Sequence, residues 1–315
     1  YEIVVGDWSS DVCSSDLAVK FQAFHTESLI LHGVEKAPYQ QVTTAAQESQ
    51  FEMLKKLEMT REQNREIQAY CESRGILFLT TPFDEKSLDE LDGLDLPAYK
   101  IASTDLTNLP FLEKVAKKNR PILLSTGMSY LAEVEMALAT ISPYNRDVVL
   151  LQCSANYPVR DNEAHLNVIT TYRNRFDMLV GYSDHSVGIG AAPYAVPMGA
   201  KVVEKHFTLD KSLPGPDHRA SLNPAELKSF VEIVRQVESF MGSPVKAPTL
   251  AETRTRASLQ KALVAARPIA AGESFTEENV VGKRTGGRGI SPIYFRELLG
   301  RPAPRAFAQD EVIEL

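Results

Sequence analysis

The stretch MLVGYSDHSVG (178–188), followed by KVVEKHFT (201–208), decides the fold of this chain. His185 ends the first apolar run and His206 ends the second, and each run has the length and composition of a buried strand. Parallel strands that are neighbours in a sheet end at the same edge. The order strand, histidine, helix, strand, histidine therefore predicts two imidazoles at one site, at the carboxyl ends of the strands of a barrel.

Paired imidazoles favour a metal site. Neutral imidazole suits Mn, Fe, Co or Zn, whereas the nearby carboxylates of Asp184, Glu204 and Asp217 would suit harder ions such as Mg. The alternative for each histidine is a structural residue hydrogen-bonded at a strand end. Because the arrangement occurs in consecutive units and a Pro-Gly-Pro-Asp loop (214–217) follows, the two interpretations have equal weight from the residues alone.

The same alternation continues on both sides of this stretch. Apolar runs predict strands at 18–24, 76–80, 98–103, 122–126, 148–154, 178–183 and 201–207. Helical patterns fill the gaps at 51–57, 61–73, 85–91, 109–118, 131–141, 165–176, 189–197 and 225–241. Seven parallel strands, each followed by a helix, predict an α/β fold. An eighth strand at 2–5, or a segment that it replaces, would complete a (β/α)8 TIM barrel, and a doubly wound open sheet is the alternative.

The two ends of the chain differ from this pattern. Residues 7–17, DWSSDVCSSDL, have no helical or strand periodicity, and we interpret residues 1–17 as a non-native segment that replaces the first β-α unit. The barrel is therefore expected at 1–241, with its first unit damaged. The Gly/Pro-rich and charged residues 242–257 predict a linker, and 258–315 predict a small β-rich module, with strands at 263–267 and 280–283.

Composition limits the possible partners and compartment. The 315 residues include 34 Lys+Arg against 41 Asp+Glu, a net charge of −7, which offers no basic field for nucleic acid or an anionic membrane. The 3 cysteines have no CxxC spacing, which predicts reduced thiols, and Cys153 is interpreted as core packing. With no signal peptide and no apolar run of membrane-spanning length, we expect a cytoplasmic protein.

Polar residues at the predicted strand ends are mainly lysines and small hydroxyl residues. They are Lys20, Gln22, Thr80, Thr81, Lys100, Ser103, Asp105, Ser125, Thr126, Ser154, Asn156, Ser183 and Glu204. Lysines supply charge and hydroxyls supply directional donors, so this set suits a phosphate beside a metal. For Lys20 and Lys100 a structural ion pair is the alternative, because a lysine in an apolar strand must be paired or bound to an anion.

These residues lie in ordered motifs: VKFQ (19–22), KAPYQ (36–40), TTPFDE (80–85), KIAS (100–103), LTNLP (106–110), LSTGM (124–128), GYSDHS (181–186), EKHFTLD (204–210), PGPDH (214–218) and KRTGGRGISP (283–292). With them, residues 18–315 resemble the sialic acid (N-acetylneuraminate) synthase family, which includes legionaminate synthases. The resemblance implies a TIM barrel followed by an antifreeze-like (SAF) domain. That domain would be exchanged in a domain-swapped homodimer and would cap the partner's active site.

The resemblance also implies roles for individual residues. His185 and His206 match the ligands of a divalent cation, Mn²⁺ or Mg²⁺. The phosphoenolpyruvate contacts match Lys20, Lys100, Ser103, Ser125 and Ser183. The sugar contacts match Gln22, Tyr157, Asp217 and, from the capping domain, Arg284. Asp105 takes the place of a glutamate near the reacting carbons, so Lys20, Lys100, Asp105 and Asp217 are the expected catalytic residues. Asn156 is expected to contact phosphate, although some members carry this asparagine one position earlier.

The implied reaction condenses phosphoenolpyruvate with N-acetylmannosamine and water to give N-acetylneuraminate and phosphate. An alternative is a legionaminate synthase acting on a 2,4-diacetamido-2,4,6-trideoxymannose. A metal-dependent aldolase or isomerase would explain the histidines but not both lysines. A binding-only or inactive barrel is the third alternative, since the family's opening strand and a glutamate beside the metal have only Glu2 and Ile3 as a trace here.

Overall fold

The computed structural model describes residues 2–6, 17–37, 40–41, 48–215 and 217–314. The chain divides into two compact units, Tyr1–Gly242 and Ser243–Leu315. Most of the predicted non-native segment, at 7–16, lies outside the described residues, as do parts of the KAPYQ and PGPDH motifs at 38–39 and 216.

In the described part of the first unit, eight strands form one sheet. They are β1 Glu2–Gly6, β2 Leu17–Ala23, β3 Leu77–Pro82, β4 Tyr99–Ile101, β5 Ile122–Ser125, β6 Val148–Cys153, β7 Leu179–Asp184 and β8 Val202–His206. The hydrogen-bonded order is β3-β2-β1-β8-β7-β6-β5-β4, and the outermost strands β3 and β4 lie against each other. Pairing is parallel between β2 and β3 and throughout β4 to β8. The predicted TIM barrel is confirmed, and the open sheet is excluded by this closure.

The first strand differs from the expected topology. β1 pairs antiparallel with both β2 and β8, whereas a regular TIM barrel would need it parallel to both. A parallel connection between neighbouring strands needs a crossover of about a dozen residues or more. Only residues 7–16 separate β1 from β2. The expectation that residues 2–5 complete the barrel as a parallel strand is therefore wrong in direction, although a strand does occupy that place.

Helices follow the strands close to their predicted positions. They are α1 Thr26–Leu29, α2 Gln50–Lys55, α3 Arg61–Ser73, α4 Glu85–Leu91, α5 Leu109–Lys117, α6 Leu131–Ile141, α7 Asn167–Arg175, α8 Ala192–Met198 and α9 Pro224–Met241. Helices α2, α3 and α9 begin with capping boxes, in which Ser49, Thr60 and Asn223 accept from the third helical amide. These side chains bond to amides that would otherwise be unpaired at a helix start, so each capping residue marks where its helix begins.

Side chains alternate between the two faces of each strand, so the barrel has two separate groups of buried apolar side chains. One set of side chains packs between the sheet and the helices, including Phe21, Phe78, Tyr99, Leu124, Tyr182 and Val203. The alternate set fills the barrel interior as an apolar layer: Ala18, Leu79, Ala98, Leu123, Val149, Leu151 and Val202. Two residues further along β2, β3, β4, β5 and β8, towards their carboxyl ends, this inward set becomes polar: Lys20, Thr81, Lys100, Ser125 and Glu204. The barrel therefore presents a polar layer that is supported from below by an apolar one.

The second unit has its own core. Helix α10 (Leu250–Leu259) occupies much of the predicted linker, and β9 (Lys261–Ala265) pairs antiparallel with β10 (Val280–Arg284). A short helix α11 (Phe295–Leu298) follows. The buried apolar side chains include Leu263, Ile269, Phe275, Leu298, Phe307 and Ile313. In neither unit do the described residues contain a helix long and apolar enough to cross a membrane.

Candidate active site

The polar layer of the barrel is built around Glu204 on β8. Its carboxylate lies 3.7 Å from Nζ of Lys20 on β2 and 3.6 Å from Nζ of Lys100 on β4. All three side chains are buried, at 4 %, 2 % and 3 % exposure for Lys20, Lys100 and Glu204. Both expected lysines thus converge on one point, and the ion pair that was their alternative interpretation is present as well.

Small hydroxyl side chains surround this charged group. Lys100 donates to Oγ of Ser125 at 2.8 Å, and Lys20 donates to Oγ1 of Thr81 at 3.3 Å. Ser183 donates to the Glu204 carboxylate at 3.2 Å. The structure therefore brings together Lys20, Lys100, Ser125 and Ser183 from four different strands, with hydroxyl donors beside two ammonium groups. An arrangement of this kind can hold an anionic group by charge and by directed hydrogen bonds.

Ser103 is tied to the loop that follows β5. Its Oγ accepts from the amide of Gly127 at 2.9 Å. A Cβ at residue 127 would lie 2.9 Å from that Oγ, 3.2 Å from Cβ of Ala155 and 3.3 Å from Sγ of Cys153. A side chain at position 127 would therefore crowd Ser103, Ala155 and Cys153, and Ser103 would have to shift.

The two predicted histidines lie side by side. Their ring centroids are 5.2 Å apart, and Tyr157 packs against both rings, at 4.1 Å from His185 and 5.4 Å from His206. Nδ1 of His185 is 2.8 Å from the carbonyl oxygen of Ser154, so that nitrogen carries the proton and Nε2 is the acceptor. Nε2 in turn lies 3.0 Å from the hydroxyl of Tyr157.

His206 is held in its neutral form. Burial, the neighbouring His185 ring and the Lys20 ammonium keep its pKa well below the usual range. Neutral imidazole is the form that binds a metal, so the two rings fit as part of the ligand set of a divalent cation. Among the described ranges of the chain, however, no group of three or more His, Cys, Asp or Glu side chains is arranged to hold a metal.

Asp105 lies in the short 3-10 helix Ser103–Asp105 after β4. The carboxylate accepts from Thr104 at 3.3 Å and from Asn108 at 3.4 Å. Burial raises the pKa of Asp105, and these hydrogen bonds oppose the shift only in part. A buried carboxyl with a raised pKa can take up or release a proton more readily near neutral pH than an ordinary aspartate.

Four other expected site residues are less buried than this constellation. Gln22 and Asn156 are exposed, and Asp217 is half-buried at the start of a turn in which its carbonyl accepts from Ser221 Oγ at 2.8 Å. Arg284 is an exposed residue of β10 in the second unit. The expected sugar and phosphate contacts of these four residues stay predictions.

Asp184 does not belong to the site, contrary to its expected place among the carboxylates near the histidines. It is completely buried on the outer face of β7, pairs with Lys205 at 3.0 Å, and accepts from the amides of Ser186 and Ala192. The physical reason is strand alternation: Ser183 and Glu204 point into the barrel, so their neighbours Asp184 and Lys205 must point out. This outer pair fixes the loop that carries His185.

Cys153 is buried, as expected, but it faces the barrel interior. Its Sγ lies 3.8 Å from Nδ1 of His185 and beside Gly127. The interpretation as core packing therefore overlooked its contact with the site. Counting inward positions along β6 from Leu151 would have placed Cys153 on the inner face.

The closed barrel, with its buried lysines, hydroxyl donors and paired imidazoles, defines a TIM-barrel protein with a buried polar site at the carboxyl ends of its strands. The chain belongs to the NeuB family, whose model matches residues 12–246, and a SAF domain model matches 260–314. It is thereby a member of the family of sialic, legionaminic and pseudaminic acid synthases.

Individual relatives agree with this placement. The chain is 42% identical over 298 residues to the N,N'-diacetyllegionaminic acid synthase of Campylobacter jejuni, covering 94% of this chain and 89% of that protein. It is 35% identical over 302 residues to the N-acetylneuraminate-9-phosphate synthase of Homo sapiens, covering 96% and 84%. The crystal structure of the N-acetylneuraminic acid synthetase from Leptospira borgpetersenii, in complex with citrate, superposes with a TM-score of 0.67 at 29% identity, covering 77% and 81%.

Proposed function

We propose that this chain condenses phosphoenolpyruvate with an N-acetylated amino sugar and releases phosphate. The observation that carries the proposal is the convergence of Lys20 and Lys100, both buried, with Ser125 and Ser183 at the carboxyl end of the barrel. Phosphoenolpyruvate carries a phosphate and a carboxylate, and two ammonium groups with nearby hydroxyls match two anionic groups. An aldolase or isomerase acting on a neutral sugar would have no need of both lysines.

The reaction forms one carbon–carbon bond and one carbon–oxygen bond, the latter from water, and breaks the carbon–oxygen bond to phosphate; one proton of the water ends on the oxygen of the former aldehyde and the other on the released phosphate. C3 of phosphoenolpyruvate bonds to the aldehyde carbon of the open-chain sugar, water adds to C2, and the bond between C2 and the phosphate oxygen breaks. The lysines and serines hold the anionic groups of phosphoenolpyruvate, which places its C3 for attack. Asp105 is proposed to hold or pass a proton near the reacting carbons, which agrees with the raised pKa of this buried carboxyl.

A divalent cation, Mn²⁺ or Mg²⁺, is proposed at His185 and His206. The adjacent rings and the neutral state of His206 support this assignment. When bound there, the cation would polarise the aldehyde of the sugar as a Lewis acid. The hydrogen bond from His185 to the carbonyl of Ser154 orients that imidazole, as outer partners of metal-binding histidines do.

Two acceptor sugars compete as candidates. N-acetylmannosamine, which gives N-acetylneuraminate, is the acceptor of the leading interpretation, although the motifs occur in both subgroups and do not decide between the two sugars. The diacetamido-trideoxymannose that gives a legionaminate is favoured by a specific observation, since the identity is 42% and 40% to two legionaminic acid synthases against 35% to the mammalian neuraminate-9-phosphate synthases. The ratio of kcat/KM for the two sugars, each with saturating phosphoenolpyruvate, decides between them.

The capping arrangement is also part of the proposal. The SAF domain of one subunit is proposed to cover the barrel of the other in a homodimer, with Arg284 reaching the partner's sugar. Support comes from the match of residues 260–314 to the SAF model and from the exposure of Arg284 in β10. Light scattering should give twice the chain mass of 34.9 kDa; a monomer that retains full activity would contradict the arrangement.

The decisive test of the reaction is phosphate release. It should require both phosphoenolpyruvate and the sugar, and phosphate should appear in equal amount to the nine-carbon product. Sugar consumption without phosphate would indicate an aldolase or isomerase instead. A second version of the chain, with a regular first β-α unit in place of residues 1–17, tests the binding-only alternative. Activity that appears only in that version would show the present barrel to be inactive.

A further inference from the structure

The polar layer holds one carboxylate between its two ammonium groups. Lys20 and Lys100 supply two positive charges, and Glu204 sits between them at 3.7 and 3.6 Å. A carboxylate in that place competes with any anion for the same ammonium groups. In the buried layer its effect is large, because opposite charges a few ångström apart interact far more strongly in a protein interior than in water.

Resting on the function proposed above, we propose that Glu204 is a positioning residue that weakens the hold of the lysines on anions. It shares their charge so that phosphate can leave after the reaction. This role is distinct from holding the lysines in place. A buried site with two uncompensated ammonium groups would bind phosphate tightly and release it slowly, and product release often limits turnover.

The other contacts of the lysines separate this role from a scaffolding one. Lys100 also donates to the carbonyl oxygen of Ile101 at 3.0 Å and to Ser125 at 2.8 Å, and Lys20 donates to Thr81 at 3.3 Å. Each ammonium group therefore keeps a directed partner when the Glu204 carboxylate is removed. The expected result of that change is a stronger anion site with its lysines still in position.

The neighbouring pair on the outer face of the barrel shows what a scaffolding ion pair looks like here. Asp184 faces Lys205 at 3.0 Å, one carboxylate to one ammonium, and its remaining bonds go to Ser186 and Ala192. That carboxylate is saturated by structural partners. Glu204, by contrast, divides its two oxygens between two lysines of different strands, and Ser183, an expected substrate contact, is the hydroxyl that bonds to it.

The experiment compares anion binding by the full chain and by Glu204→Gln, using isothermal titration with phosphoenolpyruvate and with inorganic phosphate. The glutamine has nearly the same shape and no charge. We expect the Kd for inorganic phosphate to fall about tenfold, equivalent to about 1.4 kcal/mol. In steady-state assays the KM for phosphoenolpyruvate should fall together with kcat, because release of phosphate slows.

Glu204→Asp gives a second measurement should the glutamine variant fold poorly. Its carboxylate keeps the charge but is drawn back from the lysines, so the Kd for phosphate should fall by a smaller factor, about two- to threefold. Glu113→Gln is the matched control: it removes the same charge from an exposed pair with Lys117 on α5 and should leave phosphate binding unchanged. Folding of each variant is checked by circular dichroism and its melting temperature.

A Kd for phosphate that rises or stays constant in a folded Glu204 variant would overturn the inference, because it would mean that Glu204 only holds the lysines. Failure of the unchanged chain to bind phosphoenolpyruvate is a different outcome. It would reject the proposed function itself and remove the basis of the inference.

Discussion

The hydroxyl of Tyr157 lies 3.0 Å from Nε2 of His185, the nitrogen that the proposed metal would need. The other ring nitrogen is engaged with Ser154, so the Tyr157 hydroxyl and a cation compete for the same lone pair.

Tyr157→Phe should therefore bind Mn²⁺ more tightly, by about three- to tenfold, which corresponds to the loss of one competing hydrogen bond. Titration of Mn²⁺ followed by electron paramagnetic resonance measures this. Tyr144→Phe, which alters an exposed tyrosine, should not change it. Weaker Mn²⁺ binding by Tyr157→Phe would place the hydroxyl among the metal's ligands instead.

The two imidazoles should be indispensable for metal-dependent turnover. Since Lewis-acid polarisation contributes several kcal/mol, His185→Ala or His206→Ala should reduce kcat by about a hundredfold or more. Mn²⁺ binding, measured separately, should be lost in the same variants. Near-normal activity after treatment with a chelator would reject the assignment of both residues.

Replacing Asp105 by asparagine should raise the melting temperature of the chain and lower its turnover. Burial raises the folded pKa of Asp105, so ionising its carboxyl costs free energy in the folded chain that it does not cost in the unfolded chain. Asp105→Asn should therefore melt at a higher temperature than the unchanged chain at pH 7. The difference should shrink as the pH falls through the folded pKa towards about 3.9, where the carboxyl is protonated in the unfolded chain as well. Turnover should fall about a hundredfold. A variant that is less stable at pH 7 would show that the charged form is the favoured one.

Gly127 should tolerate no side chain. Gly127→Ala places a Cβ 2.9 Å from Oγ of Ser103, and the overpacking should lower the free energy of unfolding by about 1 to 3 kcal/mol. The KM for phosphoenolpyruvate should rise because Ser103 is displaced. Gly282→Ala is the control, since its Cβ would meet nothing closer than 3.5 Å. Chemical denaturation gives the free energy of unfolding of both variants. Equal stability of the two would contradict the crowding described at Ser103.

Substitution of Arg284 tests whether the SAF domain contacts the sugar, as proposed. Arg284→Ala should raise the KM for the sugar about tenfold, the loss of one charge-assisted hydrogen bond, and should leave the KM for phosphoenolpyruvate nearly constant. Steady-state kinetics with each substrate varied in turn separates the two constants. An equal rise in both would argue that the residue acts on the barrel as a whole.

The strands and helices of the barrel were predictable from sequence because their signals are local. Apolar runs in the sequence predict the positions of strands β2 to β8, and capping side chains such as Asn223 mark the start of a helix. The direction of β1 was not predictable from its own composition. It depends on the connection to β2, which is too short for a parallel crossover and allows only the antiparallel pairing of a hairpin.

The site was predictable only in part. Lysines and histidines in strand ends identified Lys20, Lys100, His185 and His206, since charged residues in apolar runs need partners. The central position of Glu204 could not be predicted. In a barrel both faces of a strand are buried, so composition does not distinguish an inward carboxylate such as Glu204 from an outward one such as Asp184. Only the register of β8 against β7 settles which carboxylate meets the lysines.

Successive side chains of strand β8 face opposite sides of the barrel wall. Glu204 and His206 lie inside the barrel, and Lys205 lies outside it against Asp184. A substitution at any one of these positions disturbs one side. Insertion or deletion of a single residue would instead exchange the two sets, sending an ammonium into the polar layer and a carboxylate against the helices. Over evolutionary time this segment should therefore accept changes of residue type at some positions but keep its length.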